Sequence, residues 1–201
     1  MTMEKQIDQR VLGIILAAGD SSRFGKQNKL FAEIKGKSII ETAAKNLINS
    51  KVESVKIVSG YQAERIEREL SHLDVEFLYN EDWKMGQSTS VRKGIDAILE
   101  ENAVVFALGD MPFVKSSSVN ELIFAQMRET DGDVFVASYK GKRGNPVLFR
   151  NSVTEVLKGR LRGDEGGNSI IKNLGMNLVE TGDRGVLFDI DTEDDLKNYA
   201  Q

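Results

Sequence analysis

Residues 11–30 read VLGIILAAGDSSRFGKQNKL, an apolar run that stops at Gly19 and passes into a loop of glycine, hydroxyl and basic side chains. The run is far too short to span a bilayer, which takes about 20 apolar residues. Its length, its isoleucines and its glycine stop are those of a buried strand. Similar runs recur as VKIVSG (55–60), VEFLY (75–79), AVVFALGD (103–110), DVFVASY (133–139) and PVLF (146–149). Helical patterns lie between and beyond them, over Ser38–Asn49, Gln62–Ser71, Ser88–Glu100, Ser117–Arg128, Asn168–Leu174 and Thr192–Ala200. This alternation predicts βαβ units, hence an α/β protein with a three-layer α/β/α sandwich around a Rossmann-like, mainly parallel sheet. One domain is expected over residues 1–201, with residues 1–10 as a polar extension. The run Val104–Leu108 shows little alternation and predicts a central strand buried on both faces. Pro146 cannot donate to a ladder, which places PVLF at an edge.

Composition narrows the function classes. With 27 basic and 31 acidic residues the net charge is -4, and no basic patch stands out, so no nucleic-acid partner is expected. The chain has no cysteine, which excludes a disulfide framework, a thiolate nucleophile and cysteine-ligated zinc, and fits a reducing compartment. A single histidine, His72, leaves no zinc ligand set; it is expected at a helix end, where it complements the dipole. The polar start MTMEKQIDQR and the short first run predict a cytoplasmic chain with no leader and no membrane span.

In a parallel sheet, ligands bind beyond the carboxyl ends of the strands, so the loops there carry the chemistry. Gly19 and Gly25 allow close backbone approach, and Ser21, Ser22, Arg23, Lys26 and Lys29 supply hydroxyls and positive charge, as a polyphosphate requires. A Walker A loop does not fit: five residues separate the glycines and Gln27 follows Lys26. G-x-G-x-x-G is also absent. On spacing alone the segment reads equally as a solvated βα loop.

Asp110 in ALGDMPF directly follows a buried strand and reads either as a metal ligand or as the start of a turn before Pro112. In FDIDTEDDL, Thr192 and Asp195 have the spacing of a helix cap, which leaves Asp189 and Asp191 unexplained; two apart in an extended segment, they point the same way. In NEDWKMGQSTSVRKGI the hydroxyls of Ser88, Thr89 and Ser90 suit a helix start, while Gly86, Gln87 and Ser88 could instead read a nucleobase. Trp83 is expected to pack beneath the neighbouring loop.

Taken together, these segments resemble the MobA-like NTP transferase family, the nucleotidyltransferases related to the molybdenum-cofactor guanylyl- and cytidylyltransferases. LAAGDSSRFGKQNKL is similar to its L-A-A-G-x-S-x-R-M/F-G loop with a following lysine, GDMP to its L-x-D-x-P segment, and FDIDTEDDL to its D-x-D-T-P-E-D-L ending, with Glu193 in the place of proline. The resemblance implies a fold of the nucleotide-diphospho-sugar transferase type. It implies a triphosphate held by Leu16, Ala17, Ala18, Gly19, Ser22 and Arg23, with Lys29 stabilising transition-state charge. Mg²⁺ would sit on Asp110 and Asp191, with Asp189 in reserve, and Lys29, Arg23 and Asp110 would carry catalysis. MGQSTSVRKGI resembles the cytidylyl branch, which implies CTP as donor, read by Gly86, Gln87 and Ser88. GKRGNPVLF and LRGDEGGNSII resemble the acceptor pocket, which implies Asn145, Pro146, Gly163, Asp164 and Gly166 around a molybdopterin-type acceptor, its phosphate met by Arg143, Arg160 or Arg162. The implied reaction moves CMP from CTP to the acceptor phosphate and releases pyrophosphate, the product passing to a molybdenum hydroxylase. A sugar- or polyol-phosphate nucleotidyltransferase and a non-catalytic nucleotide- or cofactor-binding chaperone are the alternatives.

Overall fold

The computed structural model describes residues 10–25, 27–98, 103–160 and 175–199. In chain order the elements are β1 (Val11–Ala17), β2 (Glu33–Ile34), β3 (Lys37–Ser38), α1 (Ile39–Ile48), β4 (Val55–Ser59), α2 (Ala63–Leu70), β5 (Glu76–Tyr79) and α3 (Gln87–Asp96). Then come β6 (Ala103–Leu108), α4 (Ser116–Arg128), β7 (Val134–Tyr139), β8 (Lys142–Phe149), α5 (Asn151–Arg160), β9 (Met176–Glu180) and α6 (Glu193–Tyr199). Seven strands form one sheet in the order β5-β4-β1-β6-β8-β7-β9, while β2 and β3 make a small separate hairpin. The sheet is parallel except at β8, which runs against both neighbours. The expected mainly parallel α/β sandwich is what the chain forms.

Successive residues of a strand face opposite sides, so a strand buried on both must be apolar throughout. In β1, Ile14 and Ile15 are both fully buried. Ile15, with Ile57 and Val105, packs against α1, α2 and α4 through Ile40, Ile66 and Leu122. Ile14, with Val58 and Val104, meets α3 and α5 through Ile95 and Leu157. Helix boundaries follow local chemistry: Ser38 caps α1, its Oγ accepting from the Glu41 N–H at 3.3 Å.

Three elements depart from the sequence reading. The strand containing PVLF lies inside the sheet, between β6 and β7. Pro146 is tolerated because the ladder is broken at that point. Pairing with β6 ends at Phe106–Val147, and the register with β7 slips between Val136–Val147 and Ser138–Arg143. The edges are β5 and β9, and β9 was not foreseen; MNLVE is a short segment that alternates exposed and half-buried residues. Helix α5 was also not foreseen, since Val153, Thr154 and Val156 weaken its helical signal. The helix expected over Asn168–Leu174 lies outside the described residues, as do Lys26, Gly163, Asp164, Gly166 and Arg162. No helix among the described residues is long and apolar enough to cross a membrane.

The chain after β9 crosses the carboxyl end of the sheet, and several contacts fix its path. The buried Asp183 carboxylate accepts from the Lys115 N–H (2.9 Å) and the Ser118 hydroxyl (2.7 Å) at the start of α4, and from the Gly185 N–H (2.9 Å). A side chain at Gly185 would place its Cβ 2.1 Å from the Phe113 carbonyl oxygen, so only glycine fits without displacement. Further along, the Ile190 N–H donates to the Asp110 carbonyl at 2.9 Å. This route carries Asp189 and Asp191 to the end of β6.

Candidate active site

The loop after β1 is shaped by its own side chains. The Ser22 N–H donates to the Asp20 carboxylate at 3.1 Å, and Ser21 takes a left-handed conformation at φ 56°. Phe24 is buried with Ile34, Ile39 and Ile190, which pins the middle of the loop to the C-terminal segment. Asn28, also buried, accepts from the Ser21 hydroxyl (2.9 Å) and the Leu30 N–H (3.1 Å) through one oxygen, joining the loop's start to the 3₁₀ turn Lys29–Phe31.

That turn aims Lys29 inward. Its Nζ lies 2.6 Å from Asp110 Oδ2 and 2.8 Å from Asp191 Oδ1. Arg23 forks onto Asp191, with Nη1 2.8 Å from Oδ2 and Nη2 3.2 Å from Oδ1. Thr192 and Asp195 form the expected cap: the Asp195 N–H donates to Thr192 Oγ1 at 3.2 Å and the Thr192 N–H to Asp195 Oδ2 at 2.8 Å. Capping therefore uses Asp195 and leaves Asp189 and Asp191 for the cluster.

Burial pushes the Asp110 carboxyl above its ordinary pKa; the Lys29 ammonium pulls it down and the negative charge of Asp189 pushes it further up. Burial alone would lower the pKa of Lys29, but Asp110 and Asp191 outweigh it and the net direction is upward, so the ammonium stays charged. Asp110 Oδ1 is buried and has no hydrogen-bond partner among the described residues. Carboxylate oxygens of Asp110, Asp189 and Asp191 lie within 4.8 Å of one another. Converging hard oxygens with one orphaned buried acceptor fit a divalent cation of the Mg²⁺ or Mn²⁺ kind.

The cluster opens onto a cavity of about 540 Å³, a size common for small-molecule sites. Leu16, Ala17, Ala18, Gly19, Ser22, Arg23, Lys29, Asp110 and Asp191 line it, as do Gly86 and Gln87. Ser88 does not line it; Ser90, equally buried, does. On a helix, positions three apart share a face, so Gln87 at the start of α3 brings Ser90, not its immediate neighbour, to the cavity. Trp83 and Lys84 also line the cavity, although nothing in the residue pattern points to them. Asn145 and Pro146 border a different, smaller apolar cavity with Ala43, Asn46 and Met111. His72 has its Nε2 3.3 Å from Glu41 Oε1 and does not line the cavity.

The chain is similar to known proteins over nearly their full length. The chain is 30% identical to the purine catabolism protein PucB of Bacillus subtilis, covering 92% of this chain and 93% of that one. It is 27% identical to the molybdenum cofactor cytidylyltransferase of Escherichia coli (90% and 91% covered). With nicotine blue oxidoreductase of Paenarthrobacter nicotinovorans the identity is 24% (90% and 92%). Among solved structures, a nucleotidyl transferase from Methanothermobacter thermautotroptrophicus superposes with a TM-score of 0.81 at 20% identity (94% and 95%). Rv0371C of Mycobacterium tuberculosis, solved in complex with manganese, gives 0.80 at 20% identity (94% and 97%). Residues 13–179 match the MobA-like NTP transferase domain, and the chain belongs to that family.

Proposed function

We propose that the protein is a Mg²⁺-dependent nucleotidyltransferase that transfers CMP from CTP to a phosphorylated acceptor of the molybdopterin type and releases pyrophosphate. The observation that carries this reading is Lys29, held between Asp110 and Asp191 at the foot of the loop Gly19–Arg23, all on one cavity. The resemblance of MGQSTSVRKGI to the cytidylyl branch and the Escherichia coli cytidylyltransferase favour CTP and the molybdopterin class. The manganese held by a protein of the same fold favours a divalent metal. The lack of cysteine suits work in the reducing cytoplasm.

No protein nucleophile is needed. An acceptor phosphate oxygen, anionic at neutral pH, attacks the α-phosphorus in line; the bond from that phosphorus to the bridging oxygen breaks, and pyrophosphate leaves with the electron pair. The chain's part is positioning and charge. Backbone at Ala18 and Gly19 and the Ser22 hydroxyl hold the triphosphate, while Arg23 and Lys29 balance negative charge building on the α-phosphate and the leaving group. Asp110 and Asp191, with Asp189 beside them, would hold Mg²⁺, which supplies further positive charge to the triphosphate oxygens. Gly86 and Gln87, with Ser90 beside them on the cavity, would read the base. Asn145 and Pro146 remain candidates for the acceptor side. Pyrophosphate release, measured for CTP and GTP with and without molybdopterin, tests the reading: CTP with molybdopterin should give the highest rate, and preference for GTP would overturn the donor assignment.

A further inference from the structure

The cavity lining carries two kinds of side chain. Arg23, Lys29, Asp110 and Asp191 form one contiguous charged group, suited to phosphates and their counter-charge. Trp83, Lys84, Gly86 and Gln87 form another part of the wall.

Trp83 is held there firmly. A Cβ on Gly60 would fall 2.6 Å from Trp83 Cβ, 2.8 Å from its Cγ and 2.9 Å from Ala18 Cβ, so the root of the tryptophan is wedged against the carboxyl ends of β1 and β4. Tyr61 braces the ring, with centroids 5.6 Å apart at a tilt of 49°. The segment carrying Trp83 is tied to α3 by the buried Asn80, which accepts from the Asp82 N–H (3.1 Å) and donates to the hydroxyls of Thr89 (2.9 Å) and Ser90 (3.0 Å). A half-buried indole so fixed loses little freedom when a flat ring settles on it. The Lys84 ammonium lies 5.4 Å from the ring centroid. Exposed cation–π contacts are weak, so a ligand can take that place at small cost.

We propose that Trp83 supplies the stacking face for the nucleobase of the bound nucleoside triphosphate, making it the residue that distinguishes a nucleotide from bare polyphosphate. The inference rests on the nucleotidyltransferase reading above. Stacking accepts any base, since every base has a π-face; the choice among bases falls to hydrogen bonds from Gly86 and Gln87.

Trp83 is the only tryptophan of the chain, so its emission reports on this subsite alone. The full-length protein in magnesium chloride is titrated with CTP and, separately, with inorganic triphosphate, while calorimetry records binding of each. CTP is expected to quench the emission saturably; inorganic triphosphate should compete with CTP yet leave the emission nearly unchanged. Trp83→Ala should weaken CTP binding about 10-fold or more and leave the affinity for inorganic triphosphate within about 2-fold, with Trp83→Phe retaining most of the CTP affinity. Binding of CTP without a change in emission, or equal weakening of both ligands in Trp83→Ala, overturns the proposal. If the alanine variant fails to fold, the wild-type titrations and Trp83→Phe still decide it. Turnover with silent tryptophan emission sinks this inference alone, whereas failure to bind any nucleoside triphosphate sinks the enzymatic reading as well.

Discussion

Lys29 stands between two carboxylates that a cation is needed to hold, and it reaches them at 2.6 and 2.8 Å. Removing it should have two opposite effects. In Lys29→Met, pyrophosphate release is expected to fall about 100-fold or more, the scale for losing a preorganised charge at a reacting centre. The same variant without nucleotide should bind Mn²⁺ about 10-fold more tightly in calorimetry, because Asp110 and Asp191 lose their internal counter-ion; unchanged affinity would show that the ammonium does not compete. Protonation carries a further sign. With its folded pKa raised above 10.5, Lys29 contributes stability that is complete below that value and is lost as pH climbs through the folded pKa. Urea unfolding across an alkaline series should therefore show a steeper loss for wild type than for Lys29→Met. Asp110 has the same sign for a different reason. Its pKa is raised chiefly by burial, so its charged form burdens the fold, and the burden grows as pH rises through that pKa. Asp110→Asn is expected to melt no lower than wild type at neutral pH while losing activity; a large drop in melting temperature would mark Asp110 as structural instead.

The segment from Asp183 to Asp191 shows how an element delivers a site. Asp183 satisfies two donors at the start of α4 and one within its own turn, so Asp183→Ala leaves them buried without an acceptor. The expected cost is about 1–3 kcal/mol, read from chemical denaturation, with weakened Mn²⁺ binding because Asp189 and Asp191 lose their anchor. The β1 loop and Asp110 were legible because each follows an apolar run directly, and strand polarity alone puts them at the carboxyl edge. Trp83 and Ser90 were not placed at the cavity. Their position depends on Asn80 tying the loop to α3 and on how that helix turns, and a string of residues shows neither directly.

At the scale of the molecule, the layers were legible and the order of strands was not. Runs such as Val104–Leu108 announce burial on both faces whichever strands lie beside them. PVLF gives no sign of its partners, and Pro146 pointed to an edge because a bulge that excuses it is a property of the pair β7–β8. The core that supports the site spans both faces of the sheet, with Ile15 fully buried between β1 and the helices α1, α2 and α4. Ile15→Ala should cost about 2–5 kcal/mol in chemical denaturation without changing which triphosphate is used. The proposed chemistry is nucleotidyl transfer at the Lys29, Asp110 and Asp191 cluster. Its most direct test is pyrophosphate release from CTP with molybdopterin and Mg²⁺, comparing wild type with Asp110→Asn. Wild type should release pyrophosphate steadily, dependent on both acceptor and metal, and the variant about 100-fold less or lower; equal rates from the two proteins, or no release by a folded wild type with any nucleoside triphosphate, would rule out transfer at this cluster.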